Sequence, residues 1–205
     1  MDPATDQALV EEVLMGRKES YASIVDKYKN KIYGLLRSMG ATPIDAQDLA
    51  QDTFVKAYFK LSQYQMENSF AAWLYKIAVN TLNDFYRKKI PIPIENVNEA
   101  LEQKTQRGQH EQSANVPEQK YLNKELRGEL RKLLYTLPEQ YRLIMILKYS
   151  SDFSYREIAS IVGISERKVS NSIFQAKKRL KKQLGQKGGD SFGLLESIAN
   201  GKGII

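Results

Sequence analysis

The sequence predicts an all-α protein: two small helical domains joined by a flexible linker. Three observations predict it. Apolar residues recur at helical spacing in two separate blocks, over residues 7–89 and again from Tyr121 to Leu184. Between the blocks, from Ile90 to about Glu118, that spacing fails, and Pro91, Pro93, Gly108 and Pro117 lie in a polar, mixed-charge background. Hydroxyl caps and turn glycines fall where the periodic segments begin and end. With 205 residues, 42% of them hydrophobic, the chain can bury one large core or two small ones, and the broken pattern favours two. The expected division is a helical domain over residues 1–89, a linker over 90–118, a second helical domain over 119–184 and a Gly-rich tail over 185–205.

In the first block, Gly and Pro are confined almost entirely to Gly16, Gly34, Gly40 and Pro43, so several amphipathic helices are expected. Gly40-Ala-Thr-Pro-Ile is the clearest break. Thr42 caps and Pro43 occupies a first-turn position, which predicts a helix from there to about Leu61. Leu49, Ala50, Phe54, Ala57, Tyr58 and Leu61 form its apolar stripe, and Asp45, Asp48, Gln51, Asp52 and Lys56 lie largely outside it. Solvation alone explains such a polar face equally well. A second long helix is expected from a Ser69 cap to Lys88, burying Phe70, Trp73, Leu74, Ile77, Ala78, Leu82 and Phe85. Trp73 reads as core rather than ligand. Lys76, Asn80, Asn83, Asp84 and Arg87 share the other face, and Arg87-Lys88-Lys89 suits the negative pole of the helix.

The second block opens with a helix from Tyr121 through Tyr135, interrupted by Leu137-Pro138, then a helix carrying Tyr141, Ile144, Met145, Leu147 and Lys148. SYREIASIVGISERKVSNSIFQAKKRLKKQL, from Ser154 to Leu184, then reads as a helix-turn-helix. Ser154 and Glu157 form a capping-box pair, so a helix starts near Tyr155, with Ile158, Ala159 and Val162 inward. Gly163 supplies the left-handed backbone that ends it, Ile164 fills the corner, and Ser165 caps the next helix. In that helix Val169, Ile173, Ala176 and Leu180 face inward. Lys168, Asn171, Ser172, Gln175 and Arg179 share the free side, an axial row of donors and amides suited to a DNA major groove. Asn and Gln match the adenine edge and Lys meets guanine, each good pair giving roughly 1–3 kcal/mol of discrimination. Arg167, Lys177, Lys178, Lys181 and Lys182 suit phosphates, which position the helix without reading sequence. A merely solvated basic helix is the competing reading, and the small-residue corner weighs against it.

The net charge of +7 suits a polyanionic partner. No cysteine is present, so there is no disulfide framework and no thiolate metal site. The only histidine, His110, falls in the linker, and no Gly-rich phosphate loop is present, which disfavours an enzyme; no catalytic residue, metal or cofactor is expected. No apolar run approaches membrane-spanning length and MDPATDQALVEEVL lacks the features of a secretory signal, so a cytoplasmic location is expected. The Gly-rich tail is read as flexible, with one short helix around Leu194 to Ala199.

Taken in order, YASIVDKYKNKIYGLLRSMG, DAQDLAQDTFVKAYFKL and FAAWLYKIAVNTLNDFYRKK resemble region 2 of a bacterial sigma factor of the extracytoplasmic-function (ECF) group. LRKLLYTLPEQYRLIMILKY with the helix-turn-helix resembles region 4. The resemblance spans about 170 residues; in this short type the two regions are joined directly. It implies a promoter-specificity subunit that binds core RNA polymerase, recognises two promoter elements and helps melt the minus-ten one. It makes Asp48, Gln51, Asp52 and Lys56 the residues that meet the clamp helices of the polymerase largest subunit, with Phe54 kept in the core. It assigns Tyr64, Gln65, Asn68, Lys76, Asn80 and Arg87 to the minus-ten element, where a splayed base needs a stacking surface and donors to offset its unpairing. Arg167, Lys168, Asn171, Ser172, Gln175, Lys178 and Arg179 would meet the minus-thirty-five element as duplex. Where the group usually shows a Gly, Thr, Lys and Arg pattern this chain has Arg167, Lys168, Ser170 and Ser172, so no promoter sequence carries over. The resemblance also brings an anti-sigma factor as a candidate partner, and no small-molecule substrate. The rival reading is a stand-alone helix-turn-helix transcriptional regulator.

Overall fold

The computed structural model describes residues 3–66, 69–89, 128 and 131–187, with backbone alone at 3–4 and 185–187. Every regular element among them is helical. The chain divides into two compact units, one of residues 1–92 with 159–163 and the other of residues 93–158 with 164–205.

The first unit contains α1 (Pro3–Leu14), α2 (Ser20–Ser38), α3 (Pro43–Lys60) with a closing 3-10 turn at Leu61–Gln63, and α4 (Phe70–Lys89). Its centre is α2, whose Ile24, Tyr28, Ile32, Leu35 and Leu36 recur every three or four residues and are essentially inaccessible. α3 packs on both α2 and α4, and α1 packs on α2. Leu49, Phe54 and Ala57 of α3 and Phe70, Leu74, Tyr75, Ala78 and Leu82 of α4 complete the core. Each fully buried aliphatic or aromatic side chain here contributes about 1.5–3 kcal/mol, so the packed stripes outweigh helix propensity in fixing these elements.

The turn from α2 to α3 follows the chemistry read from the sequence. Gly40 takes φ +98°, a left-handed conformation that ends α2. The Thr42 hydroxyl accepts from the Asp45 amide at 3.1 Å, and Pro43 sits in the first turn of α3. At the other end of the unit, Asp6 of α1 is buried with its carboxylate on the Lys27 ammonium and the Tyr28 hydroxyl, both at 2.6 Å. The amide of Gln7 donates to the Met66 carbonyl at 2.7 Å, so α1 also holds the segment that leads into α4.

Later in the chain, helical turns at residues 131–135 precede α5 (Glu139–Tyr149), α6 (Tyr155–Val162) and α7 (Glu166–Lys187). α5 packs on α7, and Ile144, Met145 and Leu147 of α5 are fully buried. Arg142 is buried yet satisfied at its tip: it donates to the carbonyls of Tyr135 and Leu137 at 3.3 and 3.2 Å, with its guanidinium 4.5 Å from the Tyr135 ring centre. The segment before Pro138, which cannot continue the helix, is thereby tied to α5. α7 extends three residues beyond the expected Leu184, because Gly185 and Gln186 continue the helix as far as Lys187. The expected linker with His110, the start of the second domain and the short tail helix fall outside the described residues.

Candidate nucleic-acid and polymerase-docking surfaces

The helix-turn-helix is built by three local devices. The Glu157 carboxylate accepts from the Ser154 amide and hydroxyl at 2.8 and 2.6 Å, while the Ser154 hydroxyl accepts from the Glu157 amide at 3.3 Å. This reciprocal box satisfies donors that the first turn of α6 leaves over. Gly163 takes φ +76°, and the Ser165 hydroxyl receives the Lys168 amide at 3.4 Å as α7 begins. Ile158 and Ile161 are the fully buried residues of α6; Ala159 and Val162 are half-buried. Ile161 was not singled out in the sequence, although its three-residue spacing from Ile158 was the available signal.

In α7, Val169, Ile173, Ala176 and Leu180 are all buried, as the spacing predicts. That inward line turns Arg167, Lys168, Asn171, Gln175, Lys178 and Arg179 outward and exposed, with Ser172 half-buried at the margin. Arg179 lies with its guanidinium 5.2 Å from the Tyr141 ring centre and Lys177 with its ammonium 5.1 Å from that of Tyr149, so both cations also brace α7 against α5. Phe174, which the sequence reading passed over, stands 65% exposed among these residues.

On α3, Asp48, Gln51 and Asp52 are exposed. Lys56 is half-buried instead, donating from its ammonium to the Thr81 hydroxyl of α4 at 3.2 Å. Asp45 is also drawn in, pairing with Lys89 at 3.3 Å. The outward line continues through three large apolar residues: Ile44, Val55 and Phe59 are 75%, 54% and 77% exposed. With Asp48 and Gln51 between them they form one mixed acidic and apolar stripe.

The residues singled out around α4 separate by burial. Gln65, Lys76, Asn80 and Arg87 are exposed, Arg87 paired within its helix to Asp84 at 2.9 Å. Tyr64 is buried, its ring 5.4 Å from both Phe70 and Trp73. The half-buried Trp73 therefore carries the exposed edge of this aromatic cluster. Asn68 lies outside the described residues. No helix among the described residues is long and apolar enough to cross a membrane.

Two family models match the chain: Sigma-70 region 2 over residues 24–90 and Sigma-70 region 4 over residues 127–180. The ECF RNA polymerase sigma factor SigW of Bacillus subtilis is 33% identical over 85% of this chain and 94% of its own length. The ECF RNA polymerase sigma-E factor of Haemophilus influenzae is 31% identical over 88% of this chain and 95% of its own. Among solved structures, CnrH in complex with the cytosolic domain of CnrY aligns at a TM-score of 0.64 and 22% identity, covering 89% of this chain and 98% of that one. The sigma factor RpoE in complex with the anti-sigma factor NepR, from Bartonella quintana, aligns at 0.58 and 23% identity, covering 82% and 98%. These two carry the fold; the curated relatives, matched over nearly their whole length, carry the family, and the chain belongs to the ECF group of RNA polymerase sigma factors.

Proposed function

We propose that this chain is the promoter-specificity subunit of RNA polymerase: it binds the core enzyme, directs it to two promoter elements and helps open the minus-ten one. The observation that carries the DNA-reading half is α7, with one side sealed into its domain and the other an exposed row of cations and amides. Arg167 and Lys178 meet phosphates, while Lys168, Asn171, Ser172, Gln175 and Arg179 form the row that enters the groove of the minus-thirty-five element. On α3, Asp48, Gln51 and Asp52 meet the clamp helices of the largest subunit, and Lys56 supports that face through Thr81.

The minus-ten strand is received by Gln65, Lys76, Asn80 and Arg87 together with the half-buried Trp73, with Tyr64 acting from beneath as support, and Asn68 is assigned to the same element from its place in the sequence alone. Stacking on such a surface offsets the cost of unpairing a base. The division into residues 1–89, 90–118, 119–184 and 185–205 belongs to the same reading: one module for each element, a tether between them and a tail. Polymerase performs the nucleotide chemistry, and the chain works in the cytoplasm without a cofactor. An anti-sigma factor is the third partner, in keeping with the complex in which the RpoE neighbour was solved. A stand-alone regulator is not favoured, because both sigma regions are present in order.

Purified core polymerase, with and without the chain, tests this on genomic promoter fragments. Specific run-off transcripts are expected only with the chain. Failure to co-purify with core, or to start transcripts at shared upstream motifs, overturns the reading.

A further inference from the structure

The connection from the 3-10 turn at Leu61–Gln63 to α4 carries Tyr64 and Gln65, on the side where the separated strand is received. Its two ends are held locally. The Tyr64 amide donates to the Leu61 carbonyl at 3.1 Å, while Ser69 receives the Trp73 amide on its carbonyl at 3.0 Å and the Ala72 amide on its hydroxyl at 3.3 Å. Between those ends a distant residue takes hold: the Gln7 side-chain amide donates to the Met66 carbonyl at 2.7 Å, across 59 positions of sequence. That carbonyl belongs to no helix, so a side chain supplies the donor that regular structure would otherwise provide. Gln7 is itself firmly placed. Asp6 beside it is bonded to Lys27 and Tyr28, and Val10 and Val13 on the following turns are buried, which fixes α1 about its axis. α1 also packs against the 3-10 turn.

We propose that Gln7 is a positioning residue for minus-ten recognition: by fixing the Met66 carbonyl it sets the backbone that presents the exposed Gln65 to an unpaired base. The inference rests on the minus-ten reading and deepens it, adding a residue of α1 that touches no DNA. A base taken out of its stack must be met by contacts already in place, since ordering them on arrival is subtracted from affinity. A mismatched base makes those contacts incompletely in any case, and so loses less when the backbone is freed. Discrimination therefore falls along with affinity, by about two- to tenfold for one hydrogen bond of this kind.

The test uses holoenzyme, formed from core polymerase and the full chain, and single-stranded minus-ten oligonucleotides from promoters that it transcribes, each also changed one base at a time. Wild-type holoenzyme should prefer the matched base at one or more positions. Gln7→Ala should lower that preference by about two- to tenfold, with affinity for core polymerase and for the minus-thirty-five duplex unchanged. Gln7→Glu keeps the shape but turns an acceptor towards the carbonyl, and should lose at least as much; Gln7→Lys restores a donor and should regain part of the preference. Should the Ala chain fail to fold, the comparison of Lys with Glu decides alone. A preference intact in Ala and Glu, or no better in Lys than in Glu, overturns the assignment. Equal weakening on matched and mismatched strands, in step with a lower Tm of the Trp73 transition, also overturns it and leaves Gln7 a purely structural residue. A wild-type holoenzyme without base preference on these strands overturns the minus-ten reading itself, and this assignment with it.

Discussion

Asp6→Ala should destabilise the first unit by about 2–3 kcal/mol. The carboxylate is 4% exposed and accepts from Lys27 and from Tyr28, both at 2.6 Å. Removing the acceptor of a buried hydroxyl costs about 1–3 kcal/mol. The Lys27 side chain, 26% exposed, regains water on losing its partner, so its share falls towards the 0–1 kcal/mol of surface pairs rather than the larger cost of a sealed one. For a domain of this size each kcal/mol lowers Tm by about 4–8 °C, which predicts a fall of about 10–20 °C. The only tryptophan, Trp73, lies in this unit, so its fluorescence on heating follows the unit selectively. Asp6→Asn, which keeps an acceptor for the phenol, should fall between wild type and Ala. A melting point unchanged by Asp6→Ala, or an Asn variant as unstable as Ala, would refute the reasoning.

Asp48→Arg reverses an exposed charge on α3; core-polymerase affinity should drop at least several-fold while helical circular dichroism stays unchanged, and lost helicity would reassign Asp48 to structure. Gln175→Ala removes an exposed amide, and should relax discrimination at one duplex position by about 1–3 kcal/mol without altering core binding, checked by competition between single-base promoter variants. Gly163→Ala meets no neighbouring atom within 4 Å, so its cost is the backbone strain of φ +76°, about 1–2 kcal/mol. Circular dichroism in urea should show that loss while the Trp73 transition holds. Burial, reinforced for Tyr28 by its bond to Asp6, raises the Tyr28 phenol far above its ordinary range, and burial raises Tyr21 likewise. A raised phenol keeps its proton when folded, so this stability is present below about pH 10 and is lost as pH rises through the alkaline range. Tyrosinate absorbance should show both ionising only as the unit unfolds, and Tyr28→Phe should flatten that alkaline loss.

The helices and their caps were legible in the sequence because they depend on neighbours in the chain. Thr42, Pro43, Ser154, Glu157, Gly163 and Ser165 do locally what their chemistry allows. The inward line of α7 followed from spacing alone, since a helix returns every three to four residues to the same side. The outward row needed no further knowledge than that. Spacing did not reveal which polar groups find a partner on another helix. Lys56 shares the outward pattern of Asp48 and Gln51, yet ends on Thr81, twenty-five residues away. Tyr64 has the chemistry of a stacking platform, but lies buried against Phe70 and Trp73.

Local periodicity and capping sufficed to mark out the helices and the outward side of α7, because both depend only on neighbours in the chain, while the family was legible through the resemblance of its motifs taken in order. Helix packing, by contrast, sets Asp6 to close α1 onto α2 and leaves Val55, Phe59 and Phe174 exposed among the described residues. An aromatic or apolar residue is as hydrophobic on either side of a helix. Which side is covered depends on how the helices cross, a property of the packed assembly that no single segment contains.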